Sequence, residues 1–336
     1  MKTLTVSELV NRYLLTRTNA RRSTQSLHEL VRSYLTLSPF GTRPVTEVKT
    51  SDAKLFFLGL QEAGKSYSTI HNFRSVLRPA FQMAADDDLI NKNPFSFSLA
   101  SIIPKTTEPR QALTKEEELS FLEFLKASPK WSSYYDVVYV LFHTGLRISE
   151  FCGLTATDID FSTGAIHVNK QLKRYGGMEF VLEDTKTSAG KRDFPMTEDL
   201  CDAFRRIIAQ NNPVSSSKAS SVASTSSDLL TLPFLYRDKQ GLPFTAFHWD
   251  KLFQRMTREY NLTHEKPLPR LTPHVCRHTF CTRMASAGMN PKALQYLMGH
   301  SSISITLNVY THIHSDDARS EFLRITSTAE ATPKPS

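Results

Sequence analysis

Apolar residues recur at three- and four-residue spacing through the first part of the chain, which is the period of an amphipathic helix. Four helices are predicted on this basis: residues 6–14 behind Thr5 or Ser7, 27–35 after Ser23, 51–63 ended by Gly64, and a fourth from Ser68 that bends at Pro79. Together they predict a compact all-α domain over residues 1–98.

The fourth predicted helix also carries a polar stripe. His71, Arg74 and Arg78 are spaced i, i+3 and i+7, so they share one face of that helix. A solvated helix face explains this stripe as well as a phosphate-binding surface does, and the stripe alone leaves both interpretations open.

Helical periodicity is lost over residues 93–110, where three prolines interrupt the chain, and we interpret 99–110 as a linker. A second domain is predicted over 111–325. It starts with a helix that Thr114 caps and that carries acidic residues in its first turn, followed by a core helix over 134–143 that is apolar on every side.

Short β-rich segments follow at 165–172, 179–182 and 192–196, and a turn at 187–190 predicts that the last two pair as neighbours. Residues 213–228 are rich in serine and contain no aromatic residue, which indicates a flexible loop. Helical patterns then continue to residue 325, and the tail 326–336 is predicted to be disordered. The predicted fold class is therefore mainly α with a small antiparallel β-sheet.

Composition narrows the classes of protein only slightly. The chain has 336 residues, 41 Lys and Arg against 33 Asp and Glu, and a net charge of +8, which is compatible with a polyanionic partner but weak evidence for one. It has no apolar run long enough to span a bilayer, no signal-peptide pattern, and four cysteines without a C-x-x-C pair. These features predict a cytoplasmic protein with reduced thiols.

Residues 272–310 contain the most informative pattern. Thr272 caps a helix whose first residue is proline, and His274 and Arg277 then lie on one face near its N-terminus, where anions are favoured. A second helix ends at a glycine immediately before His300, and a third is predicted to carry Tyr310. Each of these side chains alone has an ordinary structural explanation, but short capped helices are able to bring them around one pocket.

A metal site is the alternative interpretation of the same histidines. His274 and His278 have the i, i+4 spacing of helical zinc ligands, but the glutamate of the H-E-x-x-H motif is missing and Arg277 between them repels a cation. The Asp158–Asp160 segment begins like a calcium loop but lacks its glycine and its final glutamate. Because nucleotide-binding glycine motifs are also missing, no metal or nucleotide cofactor is expected.

Taken together, four segments resemble the tyrosine recombinases, also called the phage integrase family. They are Thr-Gly-Leu-Arg-Ile-Ser-Glu at 144–150, His-Val-Cys-Arg-His at 274–278, Leu-Met-Gly-His at 297–300, and Tyr310. Arg277 and His300 are 23 residues apart and His300 and Tyr310 are 10 apart, as in the family. The resemblance covers almost the whole chain and is closest to integrases of conjugative transposons, through residues 64–94 and 273–310.

The resemblance implies a reaction and a role for each matching residue. Tyr310 is the nucleophile that forms a 3′-phosphotyrosyl bond with DNA, and Arg147 and Arg277 clamp the phosphate. His274 is the general base and His300 a further hydrogen-bonding group at the phosphate. The leaving 5′-oxygen takes its proton from Lys186 in a β-hairpin turn, with Lys191 as the weaker candidate. Glu150, three residues after Arg147, is expected to orient it.

The resemblance also implies partners. The helical domain is the family's core-binding domain and forms, with the catalytic domain, a C-shaped clamp around double-stranded DNA. Its expected DNA-binding residues are Lys65, His71, Arg74 and Arg78, with Lys49 and Lys54 as further candidates. Recombination is expected in a homo-tetramer, with the helix at 316–325 docked on a neighbouring protomer, together with an accessory excision factor and inside a bacterial cell.

Integrases of this subclass commonly carry a small arm-binding domain ahead of the core-binding domain, and here the first predicted helix follows Met1 almost immediately. The protein therefore either lacks that domain or is a shortened form. Two alternative functions stay open at this point: a type IB topoisomerase-like enzyme that relaxes DNA with the same chemistry, and a catalytically silent DNA-binding regulator on the same fold.

Overall fold

The computed structural model describes residues 3–105, 112–175, 179–185, 188–210, 229, 232–310 and 323. Lys186, the serine-rich segment 213–228, the tail 326–336 and, except for Leu323, the predicted helix 316–325 lie outside these residues. The chain divides into two compact units, Met1–Pro109 and Arg110–Ser336, and each is described by itself below.

The first unit contains the four predicted helices: α1 (Val6–Leu15), α2 (Arg22–Leu37), α3 (Thr50–Glu62) and α4 (Tyr67–Asp86). Thr5 caps α1 reciprocally with Glu8, whose carboxylate accepts the Thr5 backbone N–H at 2.9 Å. Helix α2 begins one residue before Ser23 and has no side-chain cap, and α4 continues through Pro79.

The core of the first unit forms around α4, whose buried residues recur at helical spacing and face the other three helices. The chain after α4 adds to this core, because Phe95, Leu99 and Ile103 are each at most 3% exposed. These three residues are spaced four apart and lie in the proline-rich stretch 93–110, of which 99–110 is predicted to be a linker. The packed part of this unit therefore continues past residue 98.

The second unit is also mainly helical. Its helices are α5 (Lys115–Ala127), α6 (Tyr135–Thr144), α7 (Ile148–Gly153), α8 (Glu198–Gln210), α9 (Ala246–Thr263), α10 (Pro273–Ser286), α11 (Pro291–Met298) and α12 (Ile303–Leu307). Thr114 caps α5 with Glu117, and the apolar α6 packs against α5, α8 and α10, which explains why it has no polar face.

The strands of the described residues form two antiparallel sheets, not the single sheet that the sequence predicts. Strands β1 (Ile159–Asp160), β2 (Ala165–Val168) and β5 (Arg192–Pro195) form one sheet, and β3 (Lys170–Tyr175) and β4 (Glu179–Asp184) form the other. The predicted pairing of 179–182 with 192–196 is wrong, and the predicted strand 165–172 is split at residue 169.

The strand pairing is decided by contacts that are distant in sequence. Ile166 pairs with Phe194, and Leu172 pairs with Leu182, so each apolar residue meets another on the buried side. Between β4 and β5, a short 3-10 turn at Ser188–Gly190 packs Gly190 against Thr185, where a Cβ would approach the threonine Cβ to 2.6 Å. A hairpin register between β4 and β5 therefore does not form.

Two helices of the second unit end at glycines with left-handed backbone conformation. Gly145 ends α6 and Gly299 ends α11, each with φ of +60°. A Cβ at Gly145 would lie 2.7 Å from a ring atom of Phe280, and one at Gly299 would lie 2.8 Å from Nη1 of Arg192. The chain can therefore turn sharply at both points and bring two helix C-termini close to other side chains.

No helix among the described residues is both long and apolar enough to cross a lipid bilayer.

Two glycines of the first unit give opposite predictions for the same substitution. A Cβ at Gly41 would lie 1.9 Å from the carbonyl oxygen of Leu35, whereas one at Gly59, inside α3, would have nothing within 4 Å. Gly41→Ala should lower the free energy of unfolding by about 1–3 kcal/mol because the backbone must shift. Gly59→Ala should raise it by about 1 kcal/mol through helix propensity. Urea unfolding of the full chain measures both changes, and a Gly41→Ala variant as stable as the parent would contradict the crowding at this turn.

Candidate active site

Arg147 lies immediately before α7 and is held from two directions. Its backbone N–H donates to Oε2 of Glu150 at 3.0 Å, and its Nη1 donates to Oε1 of the same carboxylate at 2.6 Å. Its Nη2 donates to the carbonyl oxygen of Gly299 at 2.8 Å. Because the side chain is still 38% exposed, the guanidinium is fixed at one edge and open to solvent at another. The expectation that Glu150 orients Arg147 agrees with this geometry.

Arg277 is on the second turn of α10 and is buried, with 6% exposure. Its Nη1 donates to the carbonyl of Gly145 at 2.7 Å and its Nη2 to the carbonyl of Met298 at 2.5 Å. Arg277 therefore links the C-terminus of α6 to that of α11. Burial, followed by the like charge of Arg147, lowers the pKa of Arg277. A nearby anion would stabilise its charge.

A third arginine, which the sequence analysis did not single out, joins the same cluster. Arg192 on β5 has a fully buried side chain whose Nη2 donates to Oε2 of Glu150 at 2.9 Å. Its Nε donates to the carbonyl of Leu297 at 2.6 Å and its Nη1 to that of Gly190 at 3.0 Å. The sequence held a signal for this residue, because strand alternation puts Arg192 on the same face as the buried Phe194, and a buried arginine requires an acidic partner.

The three guanidiniums bind three consecutive carbonyl groups at the end of α11. Residues 297, 298 and 299 accept from Arg192, Arg277 and Arg147 respectively. Cations at a helix C-terminus interact favourably with its partial negative charge. Glu150 is the carboxylate bonded within this cluster; burial opposes its ionisation, but Arg192 and then Arg147 outweigh burial and keep its pKa below the usual value. One carboxylate against three guanidiniums leaves positive charge that is suited to a phosphate anion.

His300 follows α11 directly and lies beside these arginines. Its Nδ1 is 2.9 Å from Oγ1 of Thr306, a residue that is fully buried. Burial first, then the charges of Arg277 and Arg147, lower the pKa of His300 to about 4. The imidazole is therefore neutral at physiological pH, and its Nδ1 is engaged by the threonine hydroxyl.

His274 is on the first turn of α10 and is exposed, unlike Arg277 on the next turn. Nδ1 of His278, the other half of the considered zinc pair, lies 3.1 Å from Oγ1 of Thr282. In the part of the chain that the structure describes, no group of three or more His, Cys, Asp or Glu side chains is arranged to hold a metal ion.

Tyr310 lies in the turn after α12, three residues beyond its last residue, and not on the helix as predicted. Its hydroxyl donates to the carbonyl of Met289 at 2.5 Å, and burial, followed by the neighbouring Cys281, raises its pKa. Cys281 lies on α10, four residues after Arg277 and therefore one turn further along the helix.

Two lysines, Lys186 and Lys191, are the candidates for the group that protonates the leaving 5′-oxygen. Lys186 lies outside the described residues. Nζ of Lys191 is 2.8 Å from Oδ2 of Asp184, and both side chains of this ion pair are more than half exposed.

The basic residues of the first unit do not all face solvent. Lys65, His71 and Arg78 are exposed, as a surface stripe requires. Arg74 is half-buried, and its Nη2 donates to the carbonyl of Phe97 at 2.5 Å and, more weakly, to that of Phe95 at 3.5 Å. Arg74 therefore fastens the chain after α4 to the helix, and sequence spacing alone did not separate it from its exposed neighbours.

The geometry agrees with what comparison with known proteins shows. Residues 111–317 match the model of the phage integrase family, which covers more than half of the chain. The transposase of transposon Tn916 from Enterococcus faecalis is 36% identical over 324 residues, a region that covers 96% of this chain and 78% of the transposase. Tyrosine recombinase XerC of Bacillus pumilus is 24% identical over 302 residues, 89% of this chain and 87% of that protein.

Solved structures give the same result. The structure of a fragment of the Tn1549 transposon integrase in complex with a circular intermediate DNA superimposes with a TM-score of 0.87 and 40% identity, over 96% of this chain and all of the fragment. A lambda integrase dimer bound to a core site shares the fold, with a TM-score of 0.60 at 17% identity, over 91% of this chain and 95% of that one. The family match and the two close relatives lead to one conclusion: the chain belongs to the phage integrase family of tyrosine recombinases.

Proposed function

We propose that this protein is a site-specific recombinase that cleaves and rejoins double-stranded DNA through Tyr310, for integration and excision of a conjugative transposon. The observation that carries the proposal is the arginine cluster at the end of α11. Among the described residues, the positive charge of the three arginines exceeds the negative charge of Glu150. One of these arginines, Arg147, is partly open to solvent. A DNA phosphodiester supplies the anion that such a site lacks.

The relatives support the kind of DNA. The similar proteins include the transposase of Tn916, and the Tn1549 integrase structure contains a circular intermediate DNA. The chain covers most of the transposase and all of the Tn1549 fragment, so we extend the substrate class to this protein as a whole.

The first proposed role of the arginine cluster is to stabilise the scissile phosphate. Negative charge grows on the non-bridging oxygens as a nucleophile attacks phosphorus, and donors that are already in place stabilise this charge without reorganising. We assign this role to Arg147 and Arg277, whose guanidiniums are each oriented by carbonyl groups at helix ends.

His300 is assigned as a neutral hydrogen-bond donor at the same phosphate. Because its pKa is lowered to about 4, the imidazole of His300 is neutral at neutral pH and carries a single N–H proton. If the Thr306 hydroxyl donates to Nδ1, the ring proton is on Nε2, which is the nitrogen left for the substrate. His300 then stabilises the transition state as a donor and not as a cation.

Tyr310 is assigned as the nucleophile, and it must first leave its present partner. Its hydroxyl donates to the Met289 carbonyl, and its raised pKa makes the phenol a weak nucleophile in this state. In the reaction, His274 takes the phenolic proton and the phenolate oxygen attacks phosphorus. The bond to the 5′-oxygen breaks, and Lys186 supplies the proton to that oxygen. The phosphotyrosyl bond conserves the energy of the phosphodiester, so a second 5′-hydroxyl can reverse the step on another strand.

The first unit is assigned to DNA binding through Lys65, His71 and Arg78, whose exposed cations suit backbone phosphates. Arg74 remains in the proposal only as the residue that orders the chain beside them. We further propose that strand exchange takes place in a homo-tetramer through residues 316–325, with an accessory factor that favours excision.

Replacing the nucleophile separates cleavage from binding. Tyr310→Phe should abolish the covalent protein–DNA adduct on a nicked suicide substrate that contains the correct site. DNA affinity should stay within about twofold, because the substitution removes one hydroxyl and leaves the basic residues that bind phosphates in place. Denaturing electrophoresis detects the adduct, and a gel-shift titration measures affinity. An adduct that persists in Tyr310→Phe would assign the nucleophile to another residue.

A separate assay distinguishes a recombinase from a topoisomerase. A recombinase exchanges strands between two sites, whereas a topoisomerase only relaxes supercoiled DNA.

The lowered pKa of His300 predicts an acid-dependent loss of stability. The ordinary value is 6.5 and the folded value is about 4, so below pH 6.5 the unfolded chain takes up a proton that the folded protein refuses. The stability that depends on neutral His300 is complete above pH 6.5 and decreases by up to about 3 kcal/mol as the pH falls to 4. His300→Gln should flatten this part of the pH profile in urea unfolding. If the unfolding free energies of the parent and of His300→Gln depend on pH in the same way, His300 is not the cause of the acid-dependent loss of stability.

Arg78 and Arg74 form a matched pair for testing the DNA-binding surface. Arg78→Ala should weaken DNA binding on all sequences and reduce the salt slope by about one counterion. Arg74→Ala should instead lower the stability of the protein, because it removes the donor of the Phe97 carbonyl. Salt-dependent binding titrations and thermal unfolding separate the two effects. Equal loss of DNA affinity in both variants would return Arg74 to the DNA-contacting surface.

A further inference from the structure

Arg192 is the residue of the arginine cluster for which the reaction as described has no role. Its side chain has no exposed surface, so it is not positioned to touch DNA directly. Its donors nevertheless reach Glu150, Gly190 and Leu297. Burying a guanidinium is expensive, and a protein that does so usually gains orientation of another group in return.

The group that Arg192 orients is the carboxylate of Glu150. Arg192 Nη2 holds Oε2 at 2.9 Å, and Nη1 lies 3.3 Å from Oε1, so two donors approach the two oxygens side by side. The same two oxygens accept the backbone N–H and the Nη1 of Arg147. With Arg192 in place, the plane of the carboxylate is set by β5, and the guanidinium of Arg147 is aligned by that plane.

The second partner of Arg147 also lies close to Arg192. Arg147 Nη2 donates to the carbonyl of Gly299, and Arg192 binds the Leu297 carbonyl two residues earlier on the same helix end. Gly299 has no room for a side chain, because a Cβ would lie 2.8 Å from Arg192 Nη1. Both supports of Arg147 therefore meet at one buried guanidinium.

We propose that Arg192 is a positioning residue of strand cleavage, which acts through Glu150 and the end of α11 to hold Arg147 in register with the scissile phosphate. The proposal rests on the function proposed above. A guanidinium displaced by about 1 Å from a reacting group can cost roughly 100-fold in rate. Lysine cannot replace this arrangement, because it offers one point charge where the carboxylate receives two parallel donors.

The test is the single-turnover rate of adduct formation on a nicked suicide DNA that carries the correct site, at saturating protein. Two versions of the substrate are used, with an ordinary phosphodiester or a neutral methylphosphonate at the scissile position. On the phosphodiester, Arg192→Gln should be roughly 10- to 100-fold slower than the parent. On the methylphosphonate the deficit should shrink to a few-fold, because a neutral linkage gains less charge and requires less of Arg147.

A purely structural role predicts a different result. Loss of folded protein lowers the fraction that reacts but affects both substrates alike, so an equal deficit on the two linkages, or no deficit, would overturn the proposal. Arg147→Ala gives the pattern of a directly lost phosphate contact. A parent protein that forms no adduct on either substrate would instead reject the proposed function itself, which keeps the two failures distinct.

The chain offers a matched control in Arg283. This arginine also binds a buried carboxylate, Glu118, through Nη1 at 2.8 Å, and a carbonyl near the end of α6, that of Phe142, through Nη2 at 2.9 Å. Arg283→Gln removes the same kind of ion pair from a place that the proposed reaction does not use. It should lower the thermal stability yet leave the phosphodiester-to-methylphosphonate rate ratio at the parent value.

A double substitution tests whether Arg192 works through Glu150. Glu150→Gln should itself slow cleavage, and adding Arg192→Gln should cause much less further loss than it causes alone, since the carboxylate that Arg192 orients is gone and only its contact to the Leu297 carbonyl is left to lose. Independent, multiplying deficits would refute the route through Glu150. If Arg192→Gln does not fold, Arg192→Lys is tested on the same two substrates, because it retains the charge but not the two parallel donors. It should also be slower on the phosphodiester, with a smaller deficit on the methylphosphonate.

Discussion

The C-terminus of α11 is the point on which the second unit's proposed chemistry depends. Three consecutive carbonyl groups, at 297, 298 and 299, accept from arginines that come from β5, α10 and the residue before α7. These elements are far apart in the chain, and the short helix brings their guanidiniums together. Gly299 makes the convergence sterically feasible, because its left-handed conformation turns the chain and its missing side chain leaves space for Arg192.

The same arrangement makes the site electrostatically incomplete. Burial, followed by repulsion among cations that Glu150 compensates only in part, lowers the pKa of Arg277 and lowers that of His300 to about 4. A DNA phosphate bound as proposed would relieve this repulsion, which would couple binding of DNA to stabilisation of the second unit. Tyr310, the proposed nucleophile, instead donates its hydroxyl to the Met289 carbonyl, so in this state the arginine cluster is assembled while the tyrosine is still engaged elsewhere.

Local rules identified most of the helices, because capping residues, glycine stops and apolar periodicity act within a few residues. Thr5, Thr114 and Thr272 each cap the helix that they were expected to cap. The strands were predicted less well. Whether 179–184 pairs with 170–175 or with 192–195 depends on which apolar faces meet, and no local pattern contains that information. The packing of residues 99–103 into the first unit was not predicted for a similar reason, since prolines suggested a linker.

The sequence by itself determined the family, the helices and the candidate residues around Arg147, Arg277, His300 and Tyr310, because those segments keep a characteristic order and spacing. Only the tertiary structure decided that Arg192 joins them and that Arg74 turns away from the exposed stripe. Both are arginines whose role depends on a partner distant in sequence, Glu150 in one case and the Phe97 carbonyl, across a loop, in the other. A side chain's spacing specifies the face on which it lies, whereas its partner is specified by the fold.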